Sequence, residues 1–407
     1  MPGTKRLAAT VRMKELMARH FQAGWQAKEQ GRKVAWVTSG APVEFLHALD
    51  IVPVYPENHG AICGVARAGG AMCQAAEEGG YPRDLCSYWK IDWGERISPG
   101  SSPIGGLPAP DLLFCANNIC RTVVKWYEGL AHRYRVPLLL LDFPFLHEAR
   151  DPAASVYVRE QFRKLPMKLE RIAGSRWSGE RFRQVVELSR EASLRWEDCI
   201  RENSARPSPT TAADHFVLMG PIVTMRGTPE AVGFYETLRE EIRERVRRGE
   251  GAIGSERIRL LWDNLPVWHR LRSLTEFCGS QGAVLVGATY TFAWTERPTG
   301  DSDDTIAETA DAYSRVWLNT GLEHRESVIR DLLSSLRADG VVFHANRSCK
   351  PYSFGQEEIA TRLKRKGIPC IVVEGDMADE RDFAEGSWRT RLGAFLEGFH
   401  SGRGRTS

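Results

Sequence analysis

Apolar and polar positions alternate in blocks along the first third of the chain. Short apolar runs predict four strands, at residues 34–38, 51–55, 111–115 and 136–142. Between them, apolar positions with helical spacing predict helices at residues 43–49 and 121–132. Because short apolar runs separated by helices are typical of buried parallel strands, this part of the chain is predicted to form an α/β unit.

The last third follows the same scheme, although no stretch of sequence is repeated. Its predicted strands lie at residues 258–262, 283–287, 340–344 and 368–374, and its predicted helices at residues 265–278, 323–338, 356–366 and 382–400. The middle third has only helical periodicity, at residues 156–172, 178–203 and 228–248. We therefore predict an α/β fold with two doubly wound parallel-sheet domains of the flavodoxin-like or Rossmann-like type. These domains comprise residues 1–150 and 255–407, joined by a helical connecting region at residues 151–254.

The overall composition argues against several classes of protein. Of the 407 residues, 42% are hydrophobic and 26% are charged, and the net charge of +3 is too small to indicate a nucleic-acid partner. No apolar run approaches the roughly 18 residues of a membrane span, and no secretory signal is visible. Nine cysteines are too few for a disulfide framework in this length, and their number is odd. These features predict a protein of the reducing cytoplasm without membrane or nucleic-acid contacts.

Three of the cysteines lie in segments that suit metal binding. Cys120 follows the third predicted strand, Cys349 follows the strand at residues 340–344, and Cys86 has no clear strand before it. Ligands of such sheets bind beyond the carboxyl ends of the strands, where loops distant in sequence meet. None of the three belongs to a CxxC pair, which argues against a zinc ribbon or a thioredoxin-type redox site. Three thiolates from separate loops instead suit an iron–sulfur cluster with one iron left open as a Lewis acid.

The neighbours of these cysteines also favour metal binding. Basic residues such as Arg83, Lys90 and Arg347, and the helix after Cys120, are expected to lower the thiol pKa values and so favour thiolates. The alternative is that all three are ordinary buried or loop cysteines. Cys115, which ends the third predicted strand, is the one plausible additional ligand. The remaining cysteines are predicted to be structural: Cys63, Cys73, Cys199, Cys278 and Cys370.

A set of short motifs, taken together, is specific enough to indicate a family. The motifs are Ser39-Gly40-Ala41-Pro42-Val43-Glu44, Tyr55-Pro56-Glu57-Asn58, Leu85-Cys86-Ser87-Tyr88, Asn117-Asn118-Ile119-Cys120, Lys125-Trp126-Tyr127-Glu128, Asn346-Arg347-Ser348-Cys349-Lys350-Pro351-Tyr352-Ser353-Phe354-Gly355-Gln356 and Glu374-Gly375-Asp376-Met377. They resemble the 2-hydroxyacyl-CoA dehydratase and benzoyl-CoA reductase superfamily. The resemblance extends over residues 33–400, nearly the whole chain.

The resemblance implies a lyase subunit that dehydrates an (R)-2-hydroxyacyl-CoA thioester to an enoyl-CoA. Two related subunits would form an oxygen-sensitive heterodimer, each with one [4Fe–4S] cluster, here on Cys86, Cys120 and Cys349. A separate activator protein would hydrolyse ATP to supply one electron, and the thioester would react through a ketyl radical. Consistent with a separate activator, this chain has no Walker A motif and no dinucleotide-binding glycine fingerprint. Two alternatives stay open: a benzoyl-CoA reductase subunit, or an electron-transfer or double-cubane cluster subunit that reduces small molecules.

The resemblance also suggests roles for polar residues near the open iron. Ser39 would hydrogen-bond the fourth ligand of that iron, and Glu57 would act as a base, with His59 sharing this task. Alternatively, Ser39 caps the following helix, Glu57 is a solvated loop carboxylate, and His59 is structural or exposed. Aromatic residues could line an acyl pocket or belong to the core: Phe216, Trp262 and residues 290–294.

Overall fold

Two four-stranded parallel sheets form the framework of the protein. The computed structural model describes residues 7–148 and 151–402. The first sheet has the strand order β2-β1-β3-β4 and the second has the order β6-β5-β7-β8. The strands are β1 (Val34–Val37), β2 (Val52–Val54), β3 (Leu112–Ala116), β4 (Leu138–Leu141), β5 (Ile258–Asp263), β6 (Ala283–Ala288), β7 (Gly340–Asn346) and β8 (Cys370–Gly375). Helices flank both sheets, so the predicted α/β fold with two doubly wound domains is confirmed, whereas the boundaries at residues 150 and 254 stay predictions.

Six helices accompany the first sheet: α1 (Ala9–Glu29), α2 (Glu44–Ala48), α3 (Pro56–Val65), α4 (Gly69–Glu78), α5 (Ser87–Ile97) and α6 (Thr122–Tyr134). The sequence pattern predicts α2 and α6 but not the other four. Glycines interrupt the helical spacing of apolar residues in α3, α4 and α5, so the sequence pattern does not indicate these helices. Two of these glycines allow close packing. A Cβ at Gly60 would lie 2.7 Å from the ring of Tyr88, and one at Gly94 would overlap the carbonyl of Met72.

The middle third is helical, as its periodicity predicts. Its helices are α7 (Pro152–Arg163), α8 (Leu165–Ala173), α9 (Gly179–Arg201), α10 (Ala212–Leu218), α11 (Gly220–Thr224) and α12 (Pro229–Arg247), with a 3-10 turn at Glu202–Ser204. The prediction of one helix at residues 156–172 is wrong, since α7 ends at Arg163 and α8 starts at Leu165. Pro166 accounts for the break, because proline has no N–H with which to continue the hydrogen bonds of α7.

The helices of the second sheet mostly follow the predicted pattern. They are α13 (Leu271–Ser280), α14 (Thr289–Phe292), α15 (Thr305–Ser314), α16 (Leu322–Ser335), α17 (Lys350–Ser353), α18 (Gln356–Arg365) and α19 (Glu385–Gly402). Short 3-10 turns lie at Trp268–Arg270, Ala293–Thr295, Trp317–Asn319 and Glu380–Asp382. The helix predicted from residue 265 begins only at Leu271. Pro266 lacks an N–H, and Val267 has a non-helical ψ of 88°.

One apolar core continues from the first sheet to the second. It contains buried tryptophans from both sheets, among them Trp36, Trp126, Trp262 and Trp268. A second cluster, which includes Phe45, covers the other face of the first sheet. Because a shared core links the sheets, loops of one sheet lie against loops of the other. No helix within the described residues is long and apolar enough to span a membrane.

The strand order creates a crevice at the carboxyl end of each sheet. In both sheets the order reverses beside the first strand, between β1 and β3 and between β5 and β7. Doubly wound sheets bind their ligands at such reversal points. The loops after β1, β3 and β7 contain Ser39, Cys120 and Cys349. Three predicted site residues therefore lie where this fold binds ligands.

Candidate active site

A cavity of about 160 Å³ lies between the loops of the two sheets. Its wall contains Ser39, Glu57, Cys86, Cys120 and Cys349. The structure thus brings together every predicted site residue except His59. These residues come from different loops and helices, and they meet because the two sheets share a core.

Each of the three cysteines lies at the start of a helix. Cys86 and Cys349 are the N-cap residues of α5 and α17, and Cys120 lies two residues before α6. Backbone N–H groups of these first turns act to lower the thiol pKa values, against the larger effect of burial. The side chains of Cys86 and Cys349 form no regular capping hydrogen bond. The N–H groups belong to Tyr88 and Trp89, to Thr122 and Val123, and to Tyr352. Such groups stabilise a thiolate or a negatively charged cluster.

The three cysteines are also close enough to influence one another. Next to two of them, the hydroxyl of Ser348 donates to the hydroxyl of Ser87 at 3.1 Å, which joins the Cys349 loop to the Cys86 helix. After burial, the charge of Cys349 is the next cause that raises the pKa of Cys86, and Cys120 contributes as well. Cys120 also raises the pKa of Cys349. The thiols therefore form one group, although they are distant in sequence.

The net thiol pKa values are raised rather than lowered. Burial is the largest cause, and it brings the pKa of Cys120 to about 11 and that of Cys349 to about 12. The pKa of Cys86 is raised well above its usual value, also mainly by burial. Three clustered, desolvated thiols keep their protons unless a cationic centre replaces them.

The expectation that basic neighbours lower these pKa values is wrong. Lys90 is buried, and its Nζ donates to Glu77 at 2.9 Å and to the carbonyl of Arg83 at 2.7 Å. The guanidinium of Arg83 lies 2.7 Å from Asp382, and that of Arg347 lies 3.9 Å from the same carboxylate. These cations are engaged with carboxylates, so they do not balance charge on the sulfurs.

The donor set has the chemistry of an iron–sulfur site. Within the described ranges, no three side chains of His, Cys, Asp or Glu are placed to hold one metal ion. Iron–sulfur clusters are held by cysteine thiolates. Cys86, Cys120 and Cys349 supply soft sulfur donors and are all unpaired in disulfides. These three residues therefore fit the implied cluster.

The other cysteines do not reach the pocket. Cys115 lies inside β3, and burial, followed by the charge of Cys120, raises the pKa of its thiol. It is absent from the described lining of the cavity. The same holds for the remaining cysteines, all of which are buried: Cys63, Cys73, Cys199, Cys278 and Cys370.

Ser39 and Glu57 form a hydrogen-bonded pair on the pocket wall. The Ser39 backbone N–H donates to Glu57 Oε2 at 2.6 Å, and the Ser39 hydroxyl donates to the same oxygen at 2.8 Å. Burial raises the pKa of Glu57, and both hydrogen bonds from Ser39 oppose this increase. The pair thus combines a desolvated carboxylate with donors that stabilise its charged form, as is typical of a tuned general base.

The alternatives for these two residues are wrong, and His59 lies elsewhere. Val43 is the N-cap residue of α2, so Ser39 is not its cap, and Glu57 lies in the first turn of α3 rather than in a loop. The His59 side chain is buried, with Nε2 2.8 Å from the Ser102 hydroxyl. It is not among the described lining residues, so the pocket offers it no direct contact with a ligand.

The pocket wall also contains residues that the sequence pattern does not single out. Glu44 forms a buried salt bridge with Arg226 at 3.3 Å, and the Tyr313 hydroxyl donates to Glu44 at 2.8 Å. These partners are distant in sequence, so local spacing gives no sign of them. The only signal is Glu44, which ends the motif at residues 39–44. Among the suspected aromatic residues, Tyr290 and Trp294 line the cavity, whereas Phe216 and Trp262 belong to the core.

Comparison with known proteins identifies the family. The family model of the 2-hydroxyglutaryl-CoA dehydratase D-component matches residues 38–399. The chain belongs to this family. It is 31% identical to the lactoyl-CoA dehydratase subunit alpha of Anaerotignum propionicum, over 96% of this chain and 97% of the relative. This match confirms the resemblance that the motifs indicate.

Other relatives cover the chain equally well. The (R)-2-hydroxyisocaproyl-CoA dehydratase alpha subunit of Clostridioides difficile is 32% identical over 96% of this chain and 95% of its own length. A benzoyl-CoA reductase subunit of Thauera aromatica is 29% identical over 97% of this chain and 95% of its own length. Relatives named as dehydratase and as benzoyl-CoA reductase subunits therefore both align with nearly the whole of this chain.

Proposed function

We propose that this chain is the subunit of an (R)-2-hydroxyacyl-CoA dehydratase that contacts the substrate. One observation carries the proposal: a single pocket contains three cysteines from separate loops together with the Ser39–Glu57 pair. The reaction would remove water from the thioester and form an enoyl-CoA, which makes the enzyme a lyase. The family of the chain and the dehydratase names of its relatives support this assignment.

Cys86, Cys120 and Cys349 would hold a [4Fe–4S] cluster. With one iron open, such a cluster supplies a Lewis-acid site for the thioester carbonyl and single electrons at low potential. The chain contributes clustered thiols, N–H groups that face them, and a largely apolar wall. A related subunit with its own cluster would complete a heterodimer, and an ATP-hydrolysing activator would deliver the electron. Nine free cysteines and an oxygen-sensitive cluster favour the reducing cytoplasm.

Glu57 would act as the base of the reaction. Loss of water removes a hydroxyl group from C2 of the acyl chain and a proton from C3, and Glu57 would take up that proton. Its raised pKa makes the carboxylate a stronger base, and Ser39 positions it. The Ser39 hydroxyl has one proton, which it donates to Glu57. Its predicted hydrogen bond to the fourth ligand of the iron would therefore require that ligand to be the donor.

A benzoyl-CoA reductase subunit is the second candidate. Tyr290, Trp294 and Trp317 line the pocket and could pack against an aromatic ring. The electron-transfer alternative has less support, because it expects a fourth protein ligand such as Cys115. That residue lies inside β3, away from the described lining.

Anaerobic purification with the partner subunit, followed by an assay of thioester turnover, tests the proposal. The complex should form enoyl-CoA from an (R)-2-hydroxyacyl-CoA only when the activator and ATP are present. Ring reduction of benzoyl-CoA without dehydration would favour the second candidate. Robust turnover by the isolated chain with a mild reductant would contradict the need for both partner and activator.

A further inference from the structure

The pocket has two groups of interacting polar residues, and the cysteines belong to only one. Near the cysteines, burial and then the charge of Glu57 raise the pKa of Tyr290. Elsewhere on the wall, burial raises the pKa of Tyr313, while Arg226 lowers it and Glu44 raises it. Among the described residues, no side-chain hydrogen bond joins the Ser39–Glu57 pair to Glu44, Arg226 or Tyr313. A bound thioester could therefore place its carbonyl in one and another part of its acyl chain near the other.

The second group consists of Glu44, Arg226 and Tyr313, whose side chains hydrogen-bond to one another, and we call it the Glu44 triad. Arg226 Nε donates to Glu44 Oε1 at 3.3 Å, and Arg226 Nη2 donates to the Tyr313 hydroxyl at 2.6 Å. The Tyr313 hydroxyl donates to Glu44 Oε2 at 2.8 Å, and the Ser189 hydroxyl donates to Glu44 Oε1 at 2.7 Å. The side chains of Arg226 and Glu44 are only 9% and 4% exposed. The positive charge of Arg226 is therefore matched by a carboxylate within the wall.

The rest of the lining offers no unpaired cation for an anionic acyl group. The described residues around the cavity include one further arginine, Arg297, and no lysine or histidine. Arg297 Nη1 lies 2.7 Å from a carboxylate oxygen of Glu197. Glu57 and Glu296 add carboxylates to the same wall. A second carboxylate on the substrate would meet a neutral or negative surface and would lose its hydration.

The apolar part of the wall suits an uncharged acyl chain. The Arg226 guanidinium lies 5.4 Å from the ring centre of Trp294, so this ring covers the cation. Trp317, Leu318 and Val316 continue the apolar lining. The nucleotide of CoA carries phosphates that need water or cations, and the buried Glu44 triad offers neither in unpaired form. The acyl end, rather than the nucleotide, therefore suits this part of the pocket.

We infer that the Glu44 triad restricts the enzyme to uncharged, apolar acyl chains and rejects thioesters that end in a second carboxylate. This inference rests on the proposed function, since it assigns the acyl group of the same site. Glu44 is then a specificity-determining residue, because it neutralises the arginine that would otherwise bind the second carboxylate.

Binding of unreactive thioesters tests this inference without requiring turnover. Isothermal titration of the complex with 4-methylpentanoyl-CoA and with glutaryl-CoA compares chains of similar length that differ in charge. We expect the apolar thioester to bind at least about tenfold more tightly, because like charges across an interface oppose binding. Equal or tighter binding of glutaryl-CoA by the wild type overturns the inference. If neither thioester binds, the proposed function fails together with this inference. Binding of both thioesters without a preference for the apolar one contradicts this inference alone.

Glu44→Gln tests the mechanism of the preference. The amide keeps the size of the side chain and leaves Arg226 without a matching charge, so glutaryl-CoA should gain affinity and the preference should fall at least about tenfold. Asp311→Asn is a matched control: Asp311, on α15, pairs with Arg159 and is not among the described lining residues. The control should keep the wild-type preference. An unchanged preference in a folded Glu44→Gln variant contradicts the role of Glu44, and the wild-type comparison remains decisive if this variant does not fold.

Discussion

Two hydrogen bonds from Ser39 control the charge of Glu57, the residue proposed as the base. Burial alone would leave the carboxyl protonated over a wider pH range, since its pKa is raised. The backbone N–H and the hydroxyl of Ser39 both favour the carboxylate. The proposed base is therefore ionised only above a raised pKa, and its activity should have an acid limb.

Ser39→Ala should move that acid limb to higher pH. The substitution removes one of the two donors to the carboxylate, so the pKa of Glu57 rises further and the base is protonated at a higher pH. We expect a shift of up to about one pH unit in the profile of kcat/KM. Ser102→Ala, which changes a hydroxyl that contacts His59 outside the described lining, should leave the limb in place. A limb that stays fixed or moves to lower pH in Ser39→Ala would contradict the account.

Glu57→Gln should separate binding from chemistry. The amide has nearly the same shape but cannot take up a proton, so kcat should fall by about 10²- to 10⁴-fold. Affinity for an unreactive thioester and the iron content should remain close to those of the wild type. Turnover of the complex and equilibrium binding measure the two effects. A wild-type rate with an intact cluster would move the base to the partner subunit.

At the scale of secondary structure, the packing of α3 against α5 positions Cys86. Gly60 on α3 lies against the ring of Tyr88, in the first turn of the helix that follows Cys86. A Cβ at this position would also lie 3.1 Å from the backbone Cα of Tyr88. The helices can approach this closely only because residue 60 has no side chain.

Gly60→Ala should therefore displace α5 and weaken cluster binding. Overpacking of a tight contact costs about 1–3 kcal/mol, so the free energy of unfolding should fall by that amount and the iron content should decrease. Gly233→Ala is the matched control, because Gly233 lies in α12 and, among the described residues, its Cβ would meet only Arg12, at 3.9 Å. Alanine favours a helix over glycine, so this control should be neutral or slightly stabilising. Equal effects of the two substitutions on iron content would contradict the role of Gly60.

The strands could be predicted because both faces of each sheet are covered. The apolar run at residues 258–262 corresponds to β5 (Ile258–Asp263), and the run at residues 111–115 corresponds to β3 (Leu112–Ala116). Parallel strands buried on both faces are continuous apolar segments, which are visible in sequence. The short helices between β2 and β3 lack such a signal. Their glycines serve close packing between helices, which a single sequence does not show.

The residues of the site could be predicted from the sequence only in part, for a similar reason. Cysteines after strands are conspicuous, since few other residue types hold iron–sulfur clusters. Glu44 and Arg226, by contrast, resemble ordinary surface charges until the fold places them 3.3 Å apart in a buried wall. His59 is the opposite example: the sequence suggests it as a site residue because it lies close to Glu57, but it is not among the described residues that line the pocket. Helical residues two apart point in different directions.

At the scale of the whole molecule, the two sheets must stay together for the pocket to exist. Trp268 Nε1 donates to the Tyr88 hydroxyl at 2.5 Å, across the boundary between the two halves. The buried Lys90 Nζ lies 3.6 Å from Asp379 in the other half. Both contacts involve α5, the helix that follows Cys86. The position of this cysteine therefore depends on the second sheet as well as on the first.

Tyr88→Phe should destabilise the protein through this contact. Loss of the hydroxyl leaves the buried Trp268 N–H without its acceptor, which should lower the free energy of unfolding by about 1–3 kcal/mol. Tyr157→Phe removes an exposed hydroxyl that donates to Asp142, and it should change stability by less than about 0.5 kcal/mol. Denaturant unfolding of both variants checks the difference. An equally small effect in Tyr88→Phe would show that the contact does not hold the halves together.

The iron content of cysteine variants tests the central claim most directly. The isolated full-length chain would be reconstituted anaerobically with iron and sulfide, and bound iron would be counted per chain. We expect about four iron atoms in the wild type and in Cys115→Ala, because a cubane cluster contains four. Cys86→Ala, Cys120→Ala and Cys349→Ala should each lose most of this iron while far-UV circular dichroism remains unchanged. Full iron content in any of these three folded variants would contradict the claim that Cys86, Cys120 and Cys349 together hold the cluster.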